Sequence, residues 1–207
     1  MKKLSRKYAL AALVTTLLFS AAKVFAAPEL GSEAPQFTAT DTNGNEVSSA
    51  DLIGKTVVLE WTNHGCPYVQ KHYGSGNMQA LQNEATNDDI VWLSIISSAE
   101  GKQGSVNAQE ANALTVDRKA APSHVVLDPD GVIGRAYDAR TTPHMYIIDA
   151  NGKLAYMGGI DDIPTADPAD IESAQNYVRT ALSEIKNGQA VSTPTSRPYG
   201  CSVKYSS

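Results

Sequence analysis

Cys66 and Cys201 are the whole thiol inventory of this 207-residue chain. The first lies in Trp61-Thr62-Asn63-His64-Gly65-Cys66-Pro67-Tyr68-Val69, where an apolar, β-branched run ends in a short turn and proline opens a helix. Proline suits the first helical turn because the amide it lacks would have no partner there. A cysteine at such a start faces the positive end of the helix dipole, which favours thiolate over thiol. An ordinary thiol with a pKa near 8.5 is about 3% ionised at pH 7, and a shift to about 6.5 makes thiolate the majority form. His64 or His72, protonated and close, would add to that shift. These residue types at this spacing point to sulfur-nucleophile chemistry at Cys66. The alternative is a structural cysteine, buried or held in a permanent disulfide.

Cys201 follows Arg197-Pro198-Tyr199-Gly200 near the C-terminus. Three roles are open to it: a redox partner of Cys66, half of a static bridge, or a free or intermolecular thiol. A bridge closing so long a loop is worth about 5 kcal/mol in the chain-entropy treatment, so energetics alone do not separate the first two. His64, Cys66, His144 and His72 offer soft donors that would suit copper. The plainer reading makes His64 and His144 polar support at the rim of the site, and no metal or cofactor is expected. Asp161, Asp162, Asp167 and Asp170 read as a solvated loop and a helix cap, with calcium the less favoured alternative.

The elements that must position these groups lie beyond residue 26. Lys2, Lys3, Arg6 and Lys7 precede an apolar run from Ala9 to Ala22, and Val24-Phe25-Ala26 fits a cleavage site, so residues 1–26 read as a secretory signal. An uncleaved anchor is disfavoured, because the run falls short of the roughly 20 residues a span needs. Five of the 17 basic residues and none of the 22 acids lie in that segment, leaving 12 basic residues against 22 acids, a net charge of −10. Such a balance argues against nucleic acid and anionic membrane as partners. Export permits disulfides without requiring them. Residues 27–190 suit one domain, and 191–207 form a tail carrying Cys201.

Asn43-Gly44 between alternating runs predicts a hairpin of Phe37–Thr40 with Glu46–Ser48. Thr56–Trp61 and Ile90–Ile96 read as strands buried on both faces. Pro67 opens a helix with Val69, Tyr73, Met78 and Leu81 inward, interrupted at Gly74-Ser75-Gly76. Helices are expected over Ser105–Leu114 and Val132–Tyr137, and strands over His124–Leu127, His144–Asp149 and Lys153–Met157. A last helix, capped by Asp170, should run to Lys186. This order gives an α/β fold, a central mixed sheet flanked by helices.

With those elements placed, the chain resembles the thioredoxin-like superfamily, and within it the redoxin branch of alkyl hydroperoxide reductase and thiol-specific antioxidant relatives. The strand leading into Gly65-Cys66-Pro67, the Thr141-Thr142-Pro143-His144 stretch and the Tyr146–Lys153 hairpin carry the likeness. It implies a cis Pro143, with Pro67, Thr142 and Pro143 shaping a substrate groove. Two departures are plain. Val69 stands where Cys-x-x-Cys proteins have the second cysteine. Asn63 and Pro143 stand where peroxiredoxins have threonine or serine and arginine. Copper-carrying relatives have Cys-x-x-x-Cys, which is absent. The expected activity is thiol–disulfide oxidoreduction on a protein or small-molecule thiol or disulfide, with Cys66 as nucleophile and Cys201 resolving. The alternatives are a thiol peroxidase forming sulfenic acid at Cys66, and a copper-binding or scaffold protein with a structural Cys66–Cys201 bridge. Nothing in the sequence sets the oligomeric state.

Overall fold

The centre of the molecule is a five-stranded mixed sheet. In the computed structural model, which describes residues 27–207, the chain starts with a hairpin of β1 (Thr38–Thr40) and β2 (Glu46–Ser48) and a 3-10 turn at Ser49–Leu52. It continues through β3 (Val57–Trp61), α1 (Pro67–Gly74), α2 (Asn77–Asn87), β4 (Val91–Ile96), α3 (Ala108–Asp117), β5 (His124–Leu127) and α4 (Val132–Ala136). After these come β6 (Thr141–Thr142), β7 (His144–Ile148), β8 (Leu154–Gly158), a 3-10 turn at Pro168–Glu172, α5 (Tyr177–Lys186) and β9 (Cys201–Ser202). The central order is β5-β4-β3-β7-β8, with β3, β4 and β5 parallel to one another and β7 and β8 antiparallel to their neighbours. The expected signal segment, 1–26, lies outside the described residues. No helix among the described residues is long and apolar enough to cross a membrane.

Each sheet face is covered, which is why β3 and β4 are buried throughout rather than alternating. On one face Leu59, Trp61, Leu93, Ile95, Tyr137 and Tyr146 pack together. On the other, Val58, Trp92, Met145 and Ile147 meet Val69, Met78, Leu81, Val178 and Ala181 from α1, α2 and α5. Both tryptophans are fully buried core residues. Glu60 is buried with them, and its carboxylate is fully engaged: Tyr73 Oη donates at 2.8 Å, Trp92 Nε1 at 2.9 Å, Ser94 Oγ at 3.0 Å and Gln82 Nε2 at 3.2 Å. A charge so placed needs several donors to offset its desolvation.

The expected break between α1 and α2 is present, with Gly76 at φ +78°. Two helix boundaries differ from expectation. Helix α3 starts at Ala108, because Asn107 and Glu110 form a reciprocal capping box that fixes its first turn. Asp170 does not cap the last helix. Asp167 caps the short 3-10 turn, Asp162 accepts from Gln175 N at 2.8 Å, and Asn176 accepts from Arg179 N to start α5. Two side-chain caps and one further side-chain-to-backbone bond within 15 residues split what the apolar spacing alone presents as one helix.

Candidate active site

Cys66 is the N-cap residue of α1, in extended conformation, with Pro67 at the first helical position. Asn63 fixes the turn before it: its Oδ1 accepts from Gly65 N at 3.0 Å and its Nδ2 donates to Gln103 Oε1 at 2.8 Å, while Cys66 N donates to Asn63 O at 3.0 Å. A Cβ on Gly65 would sit 2.1 Å from Gln103 Nε2, so the turn closes only around glycine or a displaced Gln103. On the far side, the Thr142–Pro143 peptide bond is cis, and Thr142 O lies 3.1 Å from Cys66 Sγ.

The tail brings in the second sulfur. β9 pairs antiparallel with β6, setting Cys201 opposite Thr142. Cys201 Sγ then lies 2.7 Å from Cys66 Sγ. A disulfide spans about 2.05 Å, so a sub-ångström approach separates the dithiol from the bridged form. Cys66 has no solvent-exposed surface, whereas Cys201 is partly exposed.

The two thiols are not equivalent. Burial pushes Cys66 up, but hydrogen bonds from Cys201, from the Val69 amide at the helix start and from the Thr142 side chain outweigh it, so its pKa is lowered. Burial and the neighbouring Cys66 push Cys201 up to about 11. Of the two thiols, Cys66 is therefore the one that ionises first.

The histidines do not supply the positive charge that sequence reasoning allowed. Burial and Arg118 lower His64, whose ring borders a small cavity with Thr62, Tyr73 and Arg118. Burial holds His72 at about 3 and His144 at about 4. His144 packs against Tyr146, 4.6 Å between ring centres, on the sheet face opposite the one that holds Cys66. Among the described residues, no group of three or more His, Cys, Asp or Glu side chains could hold a metal ion.

Asp161 departs from expectation most. Rather than being a solvated loop acid, it is buried against Lys71 of α1, whose Nζ lies 3.6 Å from its Oδ2 and donates to Ile163 O at 2.9 Å. Tyr199 Oη donates to Asp161 Oδ1, and His72 Nε2 lies 3.1 Å from that same hydroxyl. Asn77 Nδ2 donates to His72 Nδ1 at 2.9 Å, leaving the His72 proton on Nε2, directed at Tyr199. Tyr199 is two residues before Cys201, so this buried network anchors the tail to the active-site helix. The sequence offered one signal for it, a lysine and a histidine on the inward side of α1.

The AhpC/TSA family model matches residues 30–157. Thiol-disulfide oxidoreductase ResA of Bacillus subtilis is 28% identical over 124 residues, 60% of this chain and 64% of its own length. An uncharacterised conserved protein from Geobacillus kaustophilus superposes with a TM-score of 0.71 at 25% identity, covering 89% of this chain and 94% of its own. A hypothetical protein from Sinorhizobium meliloti gives a TM-score of 0.73 at 19% identity, covering 88% and 97%.

Proposed function

Starting from a chain that belongs to the AhpC/TSA family and has the thioredoxin-like fold, we propose that it is an exported thiol–disulfide oxidoreductase whose redox couple is Cys66 and Cys201. The observation that carries this reading is the 2.7 Å approach of the two sulfurs at a helix start, beside a cis-proline. Cys66 is the thiolate of the pair and Cys201 its partner, standing in for the second cysteine that Val69 displaces. Pro67, Thr142 and Pro143 wall the site. The substrates are dithiols or disulfides of proteins or small molecules, as the name of the Bacillus relative suggests. Residues 1–26 act as the export signal, which places the couple where a disulfide can persist.

In the oxidising direction, two substrate thiols give up two electrons and two protons. The protein disulfide takes up both electrons and ends as Cys66 thiolate and Cys201 thiol, with one proton released to solvent. The test is a reduced dithiol peptide incubated with the oxidised mature chain. Peptide disulfide should form at one equivalent per protein, and Cys66→Ser and Cys201→Ser should each abolish it. A bridge that resists both the peptide and glutathione would identify a static staple. Capture of sulfenic acid at Cys66 by substoichiometric peroxide, ahead of any thiol exchange, would identify a peroxidase instead.

A further inference from the structure

We infer that substrates exchange with this site through Cys201, while Cys66 is the enclosed sulfur against which the Cys201 bond is made and broken. The inference rests on the oxidoreductase reading above and specifies which atom meets the substrate. In a disulfide, the sulfur attacked must be reachable from outside the bond. Cys66 is not: it has no exposed surface, it packs among Val58, Val69, Met145 and Tyr199, and Thr142 O and Cys201 Sγ close its remaining sides. Cys201, by contrast, is partly exposed.

Uncovering Cys66 would require the tail to leave, and the tail is tied at many points. Besides the β6–β9 pairing, Val203 N donates to Arg140 O at 3.0 Å, Ala99 N to Lys204 O at 2.8 Å and Tyr205 Oη to Ala139 O at 2.8 Å. Lifting the strand would also pull the Tyr199 hydroxyl from Asp161 and expose its ring. The tail strand thus occupies the cis-proline edge itself and leaves its own cysteine partly exposed.

The step balances as follows. A substrate thiolate attacks Cys201 Sγ, the Sγ–Sγ bond to Cys66 breaks, and its electron pair leaves on Cys66 as thiolate. The mixed disulfide joins substrate to Cys201. A second substrate thiolate then attacks the substrate sulfur of that mixed disulfide and expels Cys201, which takes a proton from solvent. Of the two protein sulfurs, Cys66 is the better leaving group, because its thiolate is the more stabilised. In reverse, Cys201 loses its proton to solvent as it attacks a substrate disulfide and expels one substrate thiolate, and the Cys66 thiolate then attacks Cys201 Sγ, re-forms the bridge and expels the second.

The test uses the oxidised mature chain. It is mixed with excess reduced glutathione, quenched rapidly in acid, and mapped by peptide mass spectrometry. Glutathione is expected on Cys201, with Cys66 free. Glutathione on Cys66 overturns the inference and leaves the oxidoreductase reading standing. An intact bridge with glutathione on neither cysteine overturns both. The single variants give an independent readout with an aromatic disulfide reagent. Cys66→Ser, retaining the outer thiol, should react at least about tenfold faster than Cys201→Ser, which retains only the enclosed one. Equal rates, or the reverse order, overturn the inference.

Discussion

At Cys66 the fold stabilises a thiolate without a neighbouring cation. Burial opposes ionisation, and what overcomes it is a set of hydrogen bonds from the helix start, the cis-proline loop and the partner thiol. The helix start is written into Cys66-Pro67 and was legible. The partner thiol was legible only as a residue type, since its placement depends on backbone fitting at Gly200. That glycine has φ +136°, and a Cβ there would lie 2.1 Å from Thr142 O. No side-chain motion relieves a clash with backbone, so Gly200→Ala must separate β9 from β6 and draw Cys201 away from Cys66. The expected cost is about 2–3 kcal/mol of stability, with disulfide formation by oxidised glutathione slowed at least about tenfold. Gly188→Ala is the control. It also has positive φ, +68°, but meets nothing within 4 Å, so it should lose about 1 kcal/mol and bridge normally.

Among the elements, those that carry strong local signals were readable: the Asn43-Gly44 hairpin, the Pro67 helix and its glycine break, and the parallel strands buried on both faces. The final helix was misjudged because apolar spacing was continuous across Ile171–Ile185 while the caps that divide it are polar and local. The docking of the tail is not legible for a different reason. Its residues are polar and Pro-marked, with little apolar pattern, and its docking depends on Tyr199 reaching a buried Lys71–Asp161 pair contributed by two distant elements. Nothing local encodes that contact. Tyr199→Phe tests its purpose by removing one donor from the Asp161 carboxylate while retaining the ring. A loss of about 1–3 kcal/mol is expected from the unsatisfied acceptor. The informative readout is chemical: in the reduced protein, iodoacetamide should reach Cys66 faster than in wild type as the tail loosens. Lost stability with unchanged Cys66 labelling would mean that Tyr199 serves the core and not the position of the tail.

For the molecule as a whole, stability should follow pH with a signature that separates the imidazoles from the sulfurs. An unfolded imidazole takes up its proton near pH 6.5, but His72 and His144 resist protonation until about 3 and about 4. Between those limits the unfolded chain binds more protons, so stability should fall as pH drops from about 6.5, in the oxidised and reduced proteins alike. The sulfurs act only in the reduced protein, at alkaline pH. Cys66 ionises in the fold below the range of an ordinary thiol, near 8.5 to 9, so over that interval the unfolded chain holds the extra proton and stability rises with pH. Above it, both unfolded thiols are ionised, while folded Cys201 keeps its proton to about 11, so stability falls again. Buried tyrosines also resist ionisation, but they do so in both oxidation states and cancel when the oxidised curve is subtracted. Denaturant midpoints measured from pH 6 to 10.5 should therefore give a reduced-minus-oxidised difference that peaks near the ordinary thiol pKa. A flat or steadily falling difference would mean that the two thiols titrate alike, and that the fold does not set Cys66 apart as the thiolate of the pair.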